Sequence, residues 1–150
     1  MANTTFSGPV ISTNGFQATP VVLTDADVSL TRIDNGGRVN VIPAVAANRT
    51  ITLPTPVAGT QFTFIYGGAA EETENVIFDT GSDTNFFIGG VQHLDTNADN
   101  VSVYSDGNSN SILTLIDFGI MEINIIAKDS TNWYVWGNVI SATAPTFADQ

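Results

Sequence analysis

Residues 112–127 read ILTLIDFGIMEINIIA, and this stretch decides the fold class. In its second half Met121, Ile123 and Ile125 alternate with Glu122 and Asn124. A period of two sends one set of side chains into a core and the other into water, the mark of a half-buried strand. A helix would instead gather its apolar residues three and four positions apart. Asp117, Glu122 and Asn124 interrupt the run before it reaches the ~18 apolar residues of a membrane span. The link Asp117-Phe118-Gly119 predicts a tight hairpin between a strand over 112–116 and a strand over 120–127, with Gly119 supplying the left-handed residue.

The same alternation recurs outward from this point. Gln61–Tyr66 places Phe62, Phe64 and Tyr66 on one face and Gln61, Thr63 and Ile65 on the other. Shorter runs over 28–30, 39–42, 50–53, 75–79, 85–88, 91–94, 101–104 and 133–140 predict further strands. They are separated by Asp34-Asn35-Gly36-Gly37, Pro54 and Pro56, and acidic or Gly-containing loops. Residues 25–34 are the one stretch that offers a helical turn, and no internal repeat of 20 to 50 residues stands out. Thr (19) and Asn (14) are abundant while Lys and Glu together number five, so β-branched and turn-forming residues outweigh helix formers. The expectation is an all-β, antiparallel, jelly-roll-like β-sandwich over residues 21–140.

Two flanking segments read differently. Residues 1–20 scatter Phe6, Val10, Ile11 and Phe16 among Asn, Thr, Ser, Gly and Pro, a spacing that builds no core and predicts an extended N-terminal arm ordered against another surface. Residues 141–150 (SATAPTFADQ) carry one large apolar side chain, Phe147, and read as a tail that is mobile or docked on a neighbour.

Charge and composition narrow the function. The formal net charge of −11, with four Lys and Arg in all, leaves no basic footprint for nucleic acid. The absence of Cys excludes disulfides, thiol nucleophiles and thiolate metal sites. The amino terminus has neither a basic nor an apolar signal region, so the expectation is a chain made in a cytosol that is not a Sec substrate.

Candidate chemistry is sparse. His93, the only histidine, lies between Gln92 and Leu94 without a nucleophile motif and is expected to be structural or surface-exposed. Glu71, Glu72 and Glu74 form an acidic cluster that reads as a solvated loop tip rather than a glycosidase pair. Asp95, Asn97, Asp99 and Asp106 fall at positions 1, 3, 5 and 12 of a calcium-loop template, but Asn100 replaces the required Gly and Asp106 the longer Glu. A turn leading into a strand is the simpler reading. No cofactor, resident metal or catalytic residue is expected, and the chain does not read as an enzyme. In Asn132-Trp-Tyr-Val-Trp-Gly137, Trp133 and Trp136 point to opposite faces of a strand, so one anchors the core and the other needs a second cover or a ligand.

Several stretches together resemble a known group. The opening MANTTFSGPV with Asn14-Gly15-Phe16 resembles the start of virion structural proteins of tailed phages, particularly marine and cyanobacterial ones. Arg49-Thr-Ile-Thr-Leu-Pro54, followed by Ala58-Gly59 and Phe62-x-Phe64, and the late segment 131–137 resemble small phage β-sandwich modules of decoration proteins and fibres, as does the ending 144–150. The resemblance implies a capsid decoration (cement) protein on the outside of the virion. Such a protein is a homotrimer that bridges major capsid proteins and is assembled in the host cytoplasm. Phe6, Pro9, Val10, Ile11 and Phe16 would then form a capsid-binding arm, with Tyr134, Trp136 and Phe147 as oligomer or partner contacts. Neither nucleic acid nor membrane is an expected partner. The alternative it leaves open is a head- or tail-fibre knob that recognises host surface glycans.

Overall fold

The computed structural model describes residues 18–150. They form twelve strands and no helix: β1 Val21–Val22, β2 Val28–Ser29, β3 Val39–Ile42, β4 Arg49–Thr52, β5 Gln61–Tyr66, β6 Val76–Asp79, β7 Phe86–Asp95, β8 Val101–Tyr104, β9 Ile112–Leu115, β10 Phe118–Ala127, β11 Asn132–Ser141 and β12 Thr146–Ala148. A seven-stranded sheet runs β1-β3-β5-β10-β11-β7-β8, and a five-stranded sheet runs β12-β9-β6-β4-β2. The two pack face to face as a β-sandwich, as the alternation required.

The pairing is mixed where an antiparallel arrangement was expected. From β1 to β6 the chain alternates between the sheets, so each strand lies parallel to the one two before it: β1 to β3 to β5 on one side, β2 to β4 to β6 on the other. Val21 faces Asn40, and Arg49 faces Val76, so one circuit spans between 19 and 27 residues with no repeated sequence. Acidic and amide side chains join successive circuits at the corners. Asp27 Oδ1 accepts the Thr50 N–H (2.9 Å), Asn48 Oδ1 the Asn75 N–H (2.9 Å), and Asn75 Oδ1 the Asp117 N–H (3.3 Å). Corner N–H groups left outside a ladder need such acceptors, which gives the high Asn content a structural use.

The hairpin expected over 112–127 does not form. β9 pairs with β6 and β12 in one sheet, while β10 pairs with β5 and β11 in the other. The link is a crossing between sheets, and Asp117 (φ 44°), not Gly119, is its left-handed residue. The runs 85–88 and 91–94 are one ten-residue strand, β7, that continues through Gly89-Gly90. Residues 25–34 hold the short strand β2 and then a turn, in which the Asn35 and Gly36 N–H groups reach back to Thr31 and Arg32. The segment 141–150 is part of the sandwich: β11 includes Ser141, and β12 pairs with β9.

The core lies between the sheets, with Phe62, Phe64, Phe78, Phe87, Phe118 and Trp133 all fully buried. Phe64 from one sheet and Phe78 from the other meet at 4.8 Å between ring centroids, and Phe62 lies 5.8 Å from Trp133. The buried Asn40 amide is satisfied by Asn35 and by the carbonyls of Arg38 and Thr63. The edge strands are short, from two to four residues, which limits edge-to-edge pairing.

Candidate functional site

β11 sits inside the larger sheet and buries Trp133, Val135 and Val139 against the second sheet. Its alternate residues, Tyr134 (41% exposed) and Trp136 (50% exposed), face outward, so the opposite orientation of the two Trp side chains is as expected. Nothing among the described residues covers this outer face. Cross-strand register builds it in rows. One row runs Tyr104, Gly90, Trp136, Asn124 and Thr63 across β8, β7, β11, β10 and β5. The next runs Ser102, Gln92, Asn138, Glu122 and Ile65 across the same strands.

Each row has its own chemistry. In the first, Tyr104 is 70% exposed, and the Thr63 hydroxyl donates to Asn124 Oδ1 (2.8 Å), whose amide donates to Glu122 Oε1 (3.0 Å). In the second, Ser102 Oγ donates to Gln92 Oε1 (2.9 Å) and so orients that amide. Between them runs a shallow, open groove of about 620 Å³, bordered by Tyr104, Trp136, Gln92, Ser102 and Asn138. Gly90 makes it possible. A Cβ there would stand 2.4 Å from the Val103 carbonyl oxygen and 2.7 Å from Tyr104 Cδ1, so only glycine lets the tyrosine ring lean over the strand. Beyond the groove the face continues with exposed Ile65 and Ile120, and the Lys128 ammonium lies 5.9 Å from the Tyr134 ring centroid.

The other candidates lie elsewhere. His93 is buried on β7, with Nε2 2.9 Å from the Ser141 carbonyl oxygen. A carbonyl only accepts, so Nε2 donates to it, while Nδ1 lies 4.0 Å from Asp95 Oδ2 and has no hydrogen-bond partner among the described residues. The residue is flanked by β8 and β11. Glu71 and Glu72 are not a free acidic tip. Glu71 Oε1 accepts the Ala142 N–H (2.9 Å), and Glu72 accepts the hydroxyl of Tyr66, tying the loop to the sandwich. Burial, reinforced by that carboxylate, pushes the Tyr66 phenol up to about 12.

Asp95 and Asp106 stand at opposite ends of β8 and are not brought together. Asp95 Oδ1 accepts the N–H groups of Asn97 and Ala98, and Asp106 Oδ1 those of Asn108, Ser109 and Asn110. These bonds hold both carboxyls below their ordinary range, with the Asn97 N–H foremost for Asp95 and the Ser109 hydroxyl for Asp106. They are turn-forming carboxylates, as the simpler reading had it. Among the described residues, no three His, Asp or Glu side chains gather as metal ligands do. Phe147 packs edge-on against Phe87 of its own chain (6.2 Å), so the tail is docked on its own sandwich rather than free. Phe6, Pro9, Val10, Ile11 and Phe16 lie outside the described residues.

Sequence reasoning found Tyr134 and Trp136 but not Tyr104, Gln92, Ser102 or Asn138. Asn138 shares the outer face of β11 with Trp136 by alternation alone, whereas Gln92, and beyond it Ser102 and Tyr104 on β8, join the site through the parallel β7–β11 pairing, which no local pattern announces. Compared with protein-family models, curated proteins and solved structures, the chain matches none.

Proposed function

We propose that this chain is a structural virion protein of a tailed phage that decorates and stabilises the outside of the capsid by bridging major capsid proteins. The reading rests on the resemblance of both ends and the β-sandwich segments to phage particle proteins. The observation that carries it is where the chain enters the sandwich. Residues 18–20 are exposed and lead into β1, the outermost strand of the larger sheet, while every buried apolar side chain of the described core lies between Leu23 and Val139. A segment attached at an edge can lie along a neighbouring protein, adding main-chain hydrogen bonds and seating Phe6, Val10, Ile11 and Phe16 in separate pockets. Many identical weak contacts then reinforce one another around a closed shell.

In this reading the protein is a homotrimer that draws subunit contacts from the exposed side of the larger sheet around Ile65, Ile120 and Tyr134. Its role is mechanical rather than catalytic, in keeping with a sole histidine sealed in the core. The acidic surface keeps the free protein soluble and away from nucleic acid before assembly. Deleting residues 1–16 tests the proposal. The truncated chain is expected to fold with an unchanged melting temperature and to lose co-sedimentation with expanded capsids; unchanged capsid affinity would refute the arm's role.

The fibre-knob reading is favoured by one observation, the aromatic and amide groove on the outer face. Glycan recognition there is also compatible with a decorating protein, whose outward surface meets the host first.

A further inference from the structure

We infer that the groove over β7, β8 and β11 binds a neutral hexopyranoside. The argument starts from what its two rows offer. A pyranose ring presents axial C–H bonds on its faces and hydroxyl groups around its rim. Its best complement is an exposed aromatic face with amides and hydroxyls beside it. The ring quadrupole of an indole or phenol attracts polarised C–H bonds, and an amide meets a hydroxyl both as donor and as acceptor.

The structure sets those two elements side by side. Trp136 and Tyr104 flank Gly90 in one row, forming an aromatic ledge that needs glycine beneath it. Two residues further along the strands, about 7 Å at the usual rise, Asn138, Gln92 and Ser102 form a polar row that continues past the groove to the Glu122 carboxylate beside Asn138. The Ser102 hydroxyl fixes Gln92 by donating to Oε1, which leaves Nε2 as the amide's donating end, with only a long 3.4 Å contact to the Val101 carbonyl oxygen. Among the described residues, no hydrogen bond occupies the Asn138 side chain. Both elements sit on paired strands, so the site is preorganised and a ligand does not have to order a loop.

Charge and shape select the ligand. None of the groove-lining side chains is charged, and the chain carries −11, which disfavours uronic, sialylated or phosphorylated sugars. The volume of about 620 Å³ falls in the range of small-ligand sites, yet the groove is open along its length, which suits a residue within a chain of sugars.

The inference does not depend on capsid binding, and its test is separate from that of the arm. The full-length protein is mixed with maltotetraose, mannotetraose and galactotetraose, each at a concentration on the order of 10 mM, suited to millimolar affinity. Saturation-transfer NMR and calorimetry then read binding. At least one of the three is expected to bind, with the strongest transfer to its ring C–H protons. Trp136→Ala and Tyr104→Ala should each weaken it about tenfold or more, a change of about 1.4 kcal/mol. Trp136→Phe should retain part of the affinity, and melting temperatures should confirm that every variant is folded. Three negative sugars would overturn the inference, as would binding that survives Trp136→Ala. So would a Trp136→Ala variant whose only change is a smaller sedimenting mass, because a second copy would then be the occupant.

Discussion

The closest aromatic contact between the two sheets is the Phe64–Phe78 pair, fully buried and 4.8 Å apart between ring centroids at an interplanar angle of 60°. Truncating either residue to alanine removes a ring from between two sheets that cannot collapse onto the space, at a cost of about 4 kcal/mol. With a urea dependence of about 2 kcal/mol per molar, the unfolding midpoint should fall by about 2 M. A double alanine variant would lose most of the 5–15 kcal/mol typical of a whole domain, so the coupling is better measured with leucine. Phe64→Leu and Phe78→Leu keep apolar volume but lose the tilted ring pair, and the double variant should be less destabilised than the sum of the singles by about 1 kcal/mol. The assay is urea unfolding followed by tryptophan fluorescence, for which the buried Trp133 is the reporter. Trp136→Ala, an equally large truncation on the exposed face, should stay within about 0.5 kcal/mol. Strict additivity of the leucine pair, or a loss at Trp136 as large as that at Phe78, would refute the assignment of inner and outer faces.

Three further outcomes follow from local geometry. The N–H of Thr131 and the amide of Asn132 hold the Asp129 carboxyl down to about 2, against an ordinary value of 3.8. A carboxyl lowered on folding stabilises the native state above the unfolded value, so its contribution is present above pH 3.8 and drains away as pH falls toward about 2. In Asp129→Asn that part of the acid unfolding slope should be missing from a melting-temperature profile. Tyr66, raised to about 12, favours the folded state while protonated; its contribution is intact below pH 10 and is lost as pH climbs through about 12, and ultraviolet titration should show one late phenol that Tyr66→Phe removes. Gly89→Ala places a side chain on a residue with φ +113° and a Cβ 2.3 Å from the Val135 carbonyl oxygen, so thermal unfolding should register a loss of more than about 1 kcal/mol.

Alternation in this chain decides faces, not partners. The inward set Phe62, Phe64, Met121, Ile123 and Ile125, the outward Glu122 and the opposite faces of Trp133 and Trp136 could be read directly, because side-chain alternation follows from backbone geometry alone; which Trp faces the core could not. The pairing of β9 with β6 across nearly forty residues, and the parallel circuits from β1 to β6, depend on contacts between sequence-distant strands. Asp117-Phe118-Gly119 matched a hairpin link because Gly is the usual left-handed residue. The tripeptide instead crosses between sheets, with Asp117 in that conformation and its N–H held by Asn75. Gly89-Gly90 looked like a break, since glycine weakens a strand, yet both positions are filled by the close approach of neighbouring backbone and the Tyr104 ring. The amide half of the candidate site was hidden for the same reason: Gln92 and Ser102 lie on the neighbouring strands β7 and β8, and only the parallel β7–β11 pairing sets them beside Asn138, far along the chain. Phe147 was placed on a neighbour because a ten-residue tail with one aromatic builds no core of its own, and the cover it found was the edge beside Phe87.

The most direct test of the decorating role is the copy number of this protein in purified virions, measured by quantitative mass spectrometry against the major capsid protein. A protein that braces the shell at repeated lattice positions should be present in hundreds of copies, at a fixed ratio to the shell subunit, and should be released as trimers. A few tens of copies or fewer would assign it to a fibre, and its absence from the particle would contradict the account.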